Sequence, residues 1–163
     1  MLKQLLDVPD GVQALEAAGT VTSDDYAQVF SPLVDQIRRA RQRLRLLYQF
    51  GPSFARITPS ALWADTRLGM SYLPLLDGCA LTTDIPWIRE PARSIGPWMP
   101  CPMRVYADEE RDDALAWLAA LPTGTGPSNF QIAKAYIGGT SGAVTSIGKL
   151  LIAGRFRAGR ARD

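Results

Sequence analysis

The residues able to do chemistry are few in this chain of 163. It has no histidine and two cysteines, Cys79 and Cys101, which stand 22 positions apart and form no C-x-x-C. Histidine acid–base catalysis, Ser-His-Asp and Cys-His nucleophiles and most zinc sites are thereby excluded. The two cysteines read as small buried or half-buried residues in a reducing compartment. A set of aromatic residues and one acid remain. Tyr48, Phe54, Trp63, Trp87 and Trp98 fall at or near the ends of apolar runs and the helices after them, and Asp84 closes the run Cys79–Thr83. Open α/β sheets place ligand crevices at the carboxyl ends of their strands. These six residues are the candidate lining of a small apolar pocket with a polar mouth. Core packing is the plainer reading for the tryptophans, and capping of the next turn for Asp84.

Ser53, Thr58 and Ser60 are candidate phospho-acceptors, because a phosphate on a strand-to-helix loop would meet a helix N-terminus. A turn at Ser53 and a helix cap at Thr58 compete with that reading. Two look-alikes near the C-terminus fail. Gly142 to Gly148-Lys149 has one residue too many for a P-loop and Leu150 in place of Ser/Thr, and Ser146-Ile147-Gly148-Lys149 lacks the partner motifs of S-x-x-K enzymes. An enzyme would need Asp65 or Asp84 as base beside a serine, a pairing the spacing does not demand. No catalytic residue, metal or cofactor is assigned.

The elements that must position these residues follow from pattern. Leu2–Val8 and Val12–Ala18 flank Pro9-Asp10-Gly11, a β-hairpin. Thr22, Ser23 and Asp24 offer N-cap oxygens to a helix carrying Tyr26, Val29, Phe30, Leu33 and Ile37, in which Pro32 predicts a kink or a late start. The five arginines of Arg38–Arg45 read mostly as a solvated helix end. Leu44–Phe50 alternates as a strand that Gly51-Pro52-Ser53 ends. Thr58-Pro59 opens a second helix running past Trp63 to Leu73 and Leu76. Cys79–Thr83 reads as a buried parallel strand, Ile88–Met99 as a weaker helix and Met103–Tyr106 as a strand. Asp108 caps a last helix with Ala114, Leu115, Leu118 and Leu121 inward. A hairpin followed by strand–helix alternation predicts an α/β fold with a mixed sheet.

Composition agrees: 47% hydrophobic and 21% charged residues describe a soluble domain, not a disulfide scaffold or a collagen-like or fully disordered chain. No apolar run is long enough for a signal peptide or a membrane span, so a cytoplasmic location is expected. The net charge of +2 hides a division. Residues 1–121 carry 12 Lys+Arg against 15 Asp+Glu, and residues 122–163 carry 6 against 1. The second segment also holds eight of the 14 glycines, so a domain boundary is placed at residue 121, with a basic, flexible extension after it. Its arginines suit an anionic membrane surface or nucleic-acid phosphates; an extension with no fixed partner is the alternative.

Several stretches, in order, resemble one family. They are Gly19-Thr20-Val21-Thr22 with Tyr26 and Pro32, Leu46-Leu47-Tyr48, Thr58-Pro59-Ser60-Ala61-Leu62-Trp63-Ala64-Asp65, Thr83-Asp84-Ile85-Pro86-Trp87-Ile88, Met99-Pro100 and Ala114-Leu115-Ala116-Trp117-Leu118. Together they resemble the SpoIIAA-like family, small bacterial proteins related to STAS domains, over residues 1–121. The resemblance implies a mixed sheet packed with helices and no established catalysis. It also implies a non-enzymatic domain binding a protein partner or a small apolar, lipid-like ligand. Related switch domains are turned off by phosphorylation of a serine in an Asp-Ser-Gly-like loop. The matching stretch here, Phe50-Gly51-Pro52-Ser53-Phe54-Ala55-Arg56-Ile57-Thr58, has the serine without the acidic neighbour. The alternative function is a membrane- or nucleic-acid-associated adaptor working through residues 122–163.

Overall fold

A computed structural model describes residues 1–58, 60, 72–122 and 124, with the backbone alone for Trp98. Residues 61–71 of the expected second helix, Trp63 among them, and all of the basic extension but Pro122 and Gly124 lie outside the described residues. β1 (Leu2–Leu5) and β2 (Val12–Val21) form the expected antiparallel hairpin, with Leu2 opposite Ala17 and Leu5 opposite Ala14. β3 (Leu44–Ile57), β4 (Leu76–Thr82) and β5 (Met103–Tyr106) follow in parallel, and the sheet order is the chain order, β1-β2-β3-β4-β5. The crossovers from β2 to β3 and from β4 to β5 put the helices Ser31–Arg39 and Pro86–Ile95 on one face of the sheet.

The first crossover starts where the hydroxyls predicted it. Thr22 Oγ1 accepts the Asp25 N–H at 3.4 Å while the Asp25 carboxylate accepts the Thr22 N–H at 2.7 Å, a reciprocal capping box. A turn at Ser23–Asp25 passes into a π-helical stretch, Tyr26–Phe30, and then α1, Ser31–Arg39. No sharp kink is needed. Pro32 has no N–H and its ring crowds the Gln28 carbonyl, and the wider π turn just before it relieves that crowding. α1 ends in a Schellman arrangement: Arg41 N–H donates to the Arg38 carbonyl and Gln42 N–H to that of Ile37, with Arg41 at φ 53°.

Four sequence expectations are corrected. β3 does not stop at Gly51-Pro52-Ser53. It runs on to Ile57, because the four-residue step from Phe50 to Phe54 is matched to the two-residue step from Ala17 to Gly19 as a bulge, where strands tolerate proline. Leu73 and Leu76 are not helical: Leu73–Leu75 is a 3₁₀ turn and Leu76 begins β4 opposite Leu44, so that strand starts three residues earlier than the apolar run suggested. The arginines are not simply a solvated helix end, since Arg45 donates to the Ala119 and Leu121 carbonyls at 3.0 and 2.8 Å and Arg43 meets a buried carboxylate. Asp108 does not cap the last helix: it opens a 3₁₀ turn, Asp108–Glu110, whose start is closed by the Glu110 carboxylate accepting the Ala107 N–H at 2.7 Å, and the helix that follows has no side-chain cap bond among the described residues.

Two apolar layers hold the sheet. On one face Leu15, Ala17, Leu44, Leu46 and Leu76 pack under Tyr26, Phe30, Leu33, Val34 and Ile37, with Trp87 and Ile88 of α2 (Pro86–Ile95) beside them. On the other, α3 (Arg111–Ala120) lays Ala114, Leu115 and Leu118 on Val12, Ala14, Leu47 and Ala80. Each leucine so buried contributes about 1.5–3 kcal/mol relative to exposure. Among the described residues no helix is long and apolar enough to cross a membrane.

Candidate functional site

The predicted aromatic set is a stacked run on the α1–α2 face. Tyr48 meets Phe50 edge-on with ring centroids 4.6 Å apart, Phe50 meets Phe54 at 4.9 Å, and Phe54 reaches Trp87 at 6.0 Å. The Tyr48 and Tyr26 hydroxyls hydrogen-bond at 2.9 Å, and Tyr26 continues through Phe30 to Tyr72. Edge-to-face geometry adds about 0.5–1.5 kcal/mol per pair beyond burial. Tyr48, Phe54 and Trp87 are therefore brought together at the carboxyl ends of β3 and β4, with Phe50, Tyr26 and Phe30 as members that sequence reading passed over. Their helical and alternating spacing was visible; their meeting across the crossover was not. Trp63 lies outside the described residues, and Trp98 sits in the 3₁₀ turn Gly96–Trp98.

Asp84 follows β4 and is exposed. Its Oδ1 accepts the Asp108 N–H at 3.3 Å and stands 3.7 Å from Arg89 Nη1. So it caps the turn after β5, not the one after its own strand. Burial, and then the neighbouring Asp84 charge, push the Asp108 carboxyl above its ordinary value. Ser53 lies exposed within the bulged part of β3 instead of in a loop, and Thr58 follows the strand end with its hydroxyl 3.1 Å from that of Ser60. Cys101 is buried, and burial followed by the Asp77 charge pushes its thiol up to about 12. Among the described residues no group of three or more Cys, Asp or Glu is placed to hold a metal ion.

A second feature escaped the sequence reading. Among the described residues β5 is the last strand of the sheet. Its Pro102 and Tyr106 carbonyls accept the Cys79 and Thr83 N–H groups, at 2.9 and 3.1 Å, so the alternation of a parallel strand turns the backbone of Met103 and Val105 to the edge that no described strand pairs. Beside that edge lies a cavity of about 340 Å³ lined by Ala92, Arg93, Gly96, Pro97, Met103 and Val105.

A hairpin, parallel strands in sequential order, α1 and α2 on one face and α3 on the other define an α/β domain of the STAS type. The chain belongs to the SpoIIAA-like family, whose model matches residues 12–119. It is similar to a solved structure of an uncharacterized protein from the DUF3478 family with a SpoIIAA-like fold, from Shewanella loihica PV-4. The two share 20% identity over 72% of this chain and 93% of that one, with a TM-score of 0.59. No curated protein matches the chain.

Proposed function

We propose that this chain is a non-enzymatic binding domain whose partner is a protein segment added in extended form along β5. The observation that carries the reading is the outer edge of β5, which no described strand pairs. Outward N–H and C=O groups at Met103 and Val105 form a template for strand addition, and the adjoining cavity can receive a side chain. Membership of a family that generally serves as a protein-interaction module supports it. A photo-crosslinking residue at position 104 is expected to capture one defined protein in cells, and at exposed Gln36 on α1 to capture none. Val105→Pro, which an edge strand tolerates while losing an outward donor, should abolish the adduct. Equal capture at both positions, or an adduct that survives Val105→Pro, defeats the reading.

The aromatic run favours a small apolar ligand as a second reading, for which Phe50, Phe54 and Trp87 would supply contact area. Native mass spectrometry of the purified chain tests it through co-purifying mass. The division of charge keeps a membrane or nucleic-acid role for residues 122–163 as the alternative, tested by co-sedimentation with anionic vesicles and with RNA.

A further inference from the structure

Five residues in one register row face the α3 side of the sheet: Lys3 on β1, Glu16 on β2, Gln49 on β3, Thr82 on β4 and Tyr106 on β5. The preceding row on that face, Leu5, Ala14, Leu47 and Ala80, is apolar and covered by α3. Burial falls along the polar row, from Thr82 at 0% exposure through half-buried Gln49 and Glu16 to exposed Lys3, so the row nears solvent towards β1.

Two of its acceptors, Thr82 Oγ1 and Gln49 Oε1, are buried and have no hydrogen-bond partner among the described residues. The Glu16 carboxylate, lying over Gly51 where a Cβ would stand 3.3 Å from it, makes no ion pair among the described residues, not even with Lys3 across the strand. Buried acceptors without donors are uncommon and costly, and a half-buried carboxylate calls for a cation. The oxygens sit on adjacent strands about 4.8 Å apart. A flat, weakly hydrated group with several N–H donors spans such a set better than a compact ammonium.

We propose that Glu16, Gln49 and Thr82 form a guanidinium-binding site. The chain carries one source of that group, since Arg155, Arg157, Arg160 and Arg162 follow Gly124 by 31 residues or more, whereas β4 is seven residues long, about 23 Å. The acidic balance of residues 1–121 complements them. A free or partner-borne arginine is the other source.

The test uses the full chain and the backbone amide signals of Glu16, Gln49 and Thr82 in two-dimensional NMR, with arginine amide as the probe. If the tail supplies the group, a variant with all four arginines changed to glutamine moves these three signals, and millimolar arginine amide returns them. Movement only on adding arginine amide to the unmodified chain assigns the group to an external source and equally supports the site. Glu16→Gln should weaken the response about tenfold, the loss of one charge-assisted hydrogen bond. Thr82→Val, an apolar replacement of similar shape, should weaken it without loss of the folded spectrum. The site is refuted if neither manipulation moves the signals, or if sodium chloride at equal concentration moves them as far. In that case ordered water fills the row.

Discussion

Arg43 donates through Nε to Oδ1 of Asp77 at 2.8 Å, and its remaining nitrogens donate to the Pro74 and Leu76 carbonyls at 2.7 and 3.2 Å. The pair joins the chain before β3 to the start of β4, and the second Asp77 oxygen accepts the Gly124 N–H at 3.4 Å. The two ends of this bridge are unequal: the Asp77 side chain is 1% exposed and that of Arg43 35%. Removing Arg43 strands a buried charge, whereas neutralising Asp77 leaves a cation with water and two carbonyls. Arg43→Ala is expected to cost about 3–5 kcal/mol and Asp77→Asn clearly less. Urea denaturation of both variants checks the order.

Gly78 is needed because α3 ends against it. A Cβ there would overlap Leu121 Cδ1 and approach Leu118 Cδ2 at 3.6 Å. Gly78→Ala should destabilise by about 1–3 kcal/mol through overpacking. The obstacle is the end of a leucine side chain, so Leu121→Ala should offset part of that loss. A double-mutant cycle showing simple additivity would contradict this contact.

Arg41 holds the left-handed position after α1, which costs a side chain roughly 1–2 kcal/mol and costs glycine little. Its replacement by glycine also frees the unfolded chain, so the net expectation is a gain of about 0.5–1 kcal/mol. Thermal melting of Arg41→Gly reads it directly.

Two carboxyls predict opposite acid responses. At Asp25, burial raises the pKa but is outweighed by the bonds from Thr22 and the Met1 ammonium 3.4 Å away, so the group sits below its ordinary 3.8. Its contribution is present above 3.8 and is lost as pH falls through the lower folded value. Asp108 sits above 3.8, so ionising it opposes folding at neutral pH, and that cost disappears as pH falls from its folded value through 3.8. Asp25→Asn should therefore be less stable than the parent at pH 7 and Asp108→Asn more stable, with both differences narrowing towards pH 3. Denaturation midpoints across that range decide it.

Local signals were legible where the physics is local. The hairpin turn, the Thr22 cap, the alternation of Leu44–Phe50 and the apolar stripe of α3 needed only neighbours along the chain, and the ordered family stretches pointed to the same mixed sheet. Pro32 announced a disturbance, but its form, a π turn, depended on how Tyr26 and Phe30 pack beneath it. Gly51-Pro52-Ser53 looked like a strand end because its pairing to β2 through a bulge is a property of two strands. Tyr48, Phe54 and Trp87 could be picked by type, and their stacking through Phe50 only by position.

By itself the sequence determined the class of fold, the absence of histidine chemistry and the division between an acidic segment and a basic one. These are additive properties of residues and short spacings. Tertiary structure decided what the charges and polar groups do: that Arg43 and Arg45 are structural clamps, that Asp84 serves the turn after β5, that the backbone of Met103 and Val105 turns away from β4, and that Glu16, Gln49 and Thr82 share one row. Register and crossover handedness set those meetings, and they arise between strands tens of residues apart, where no spacing along the chain can express them.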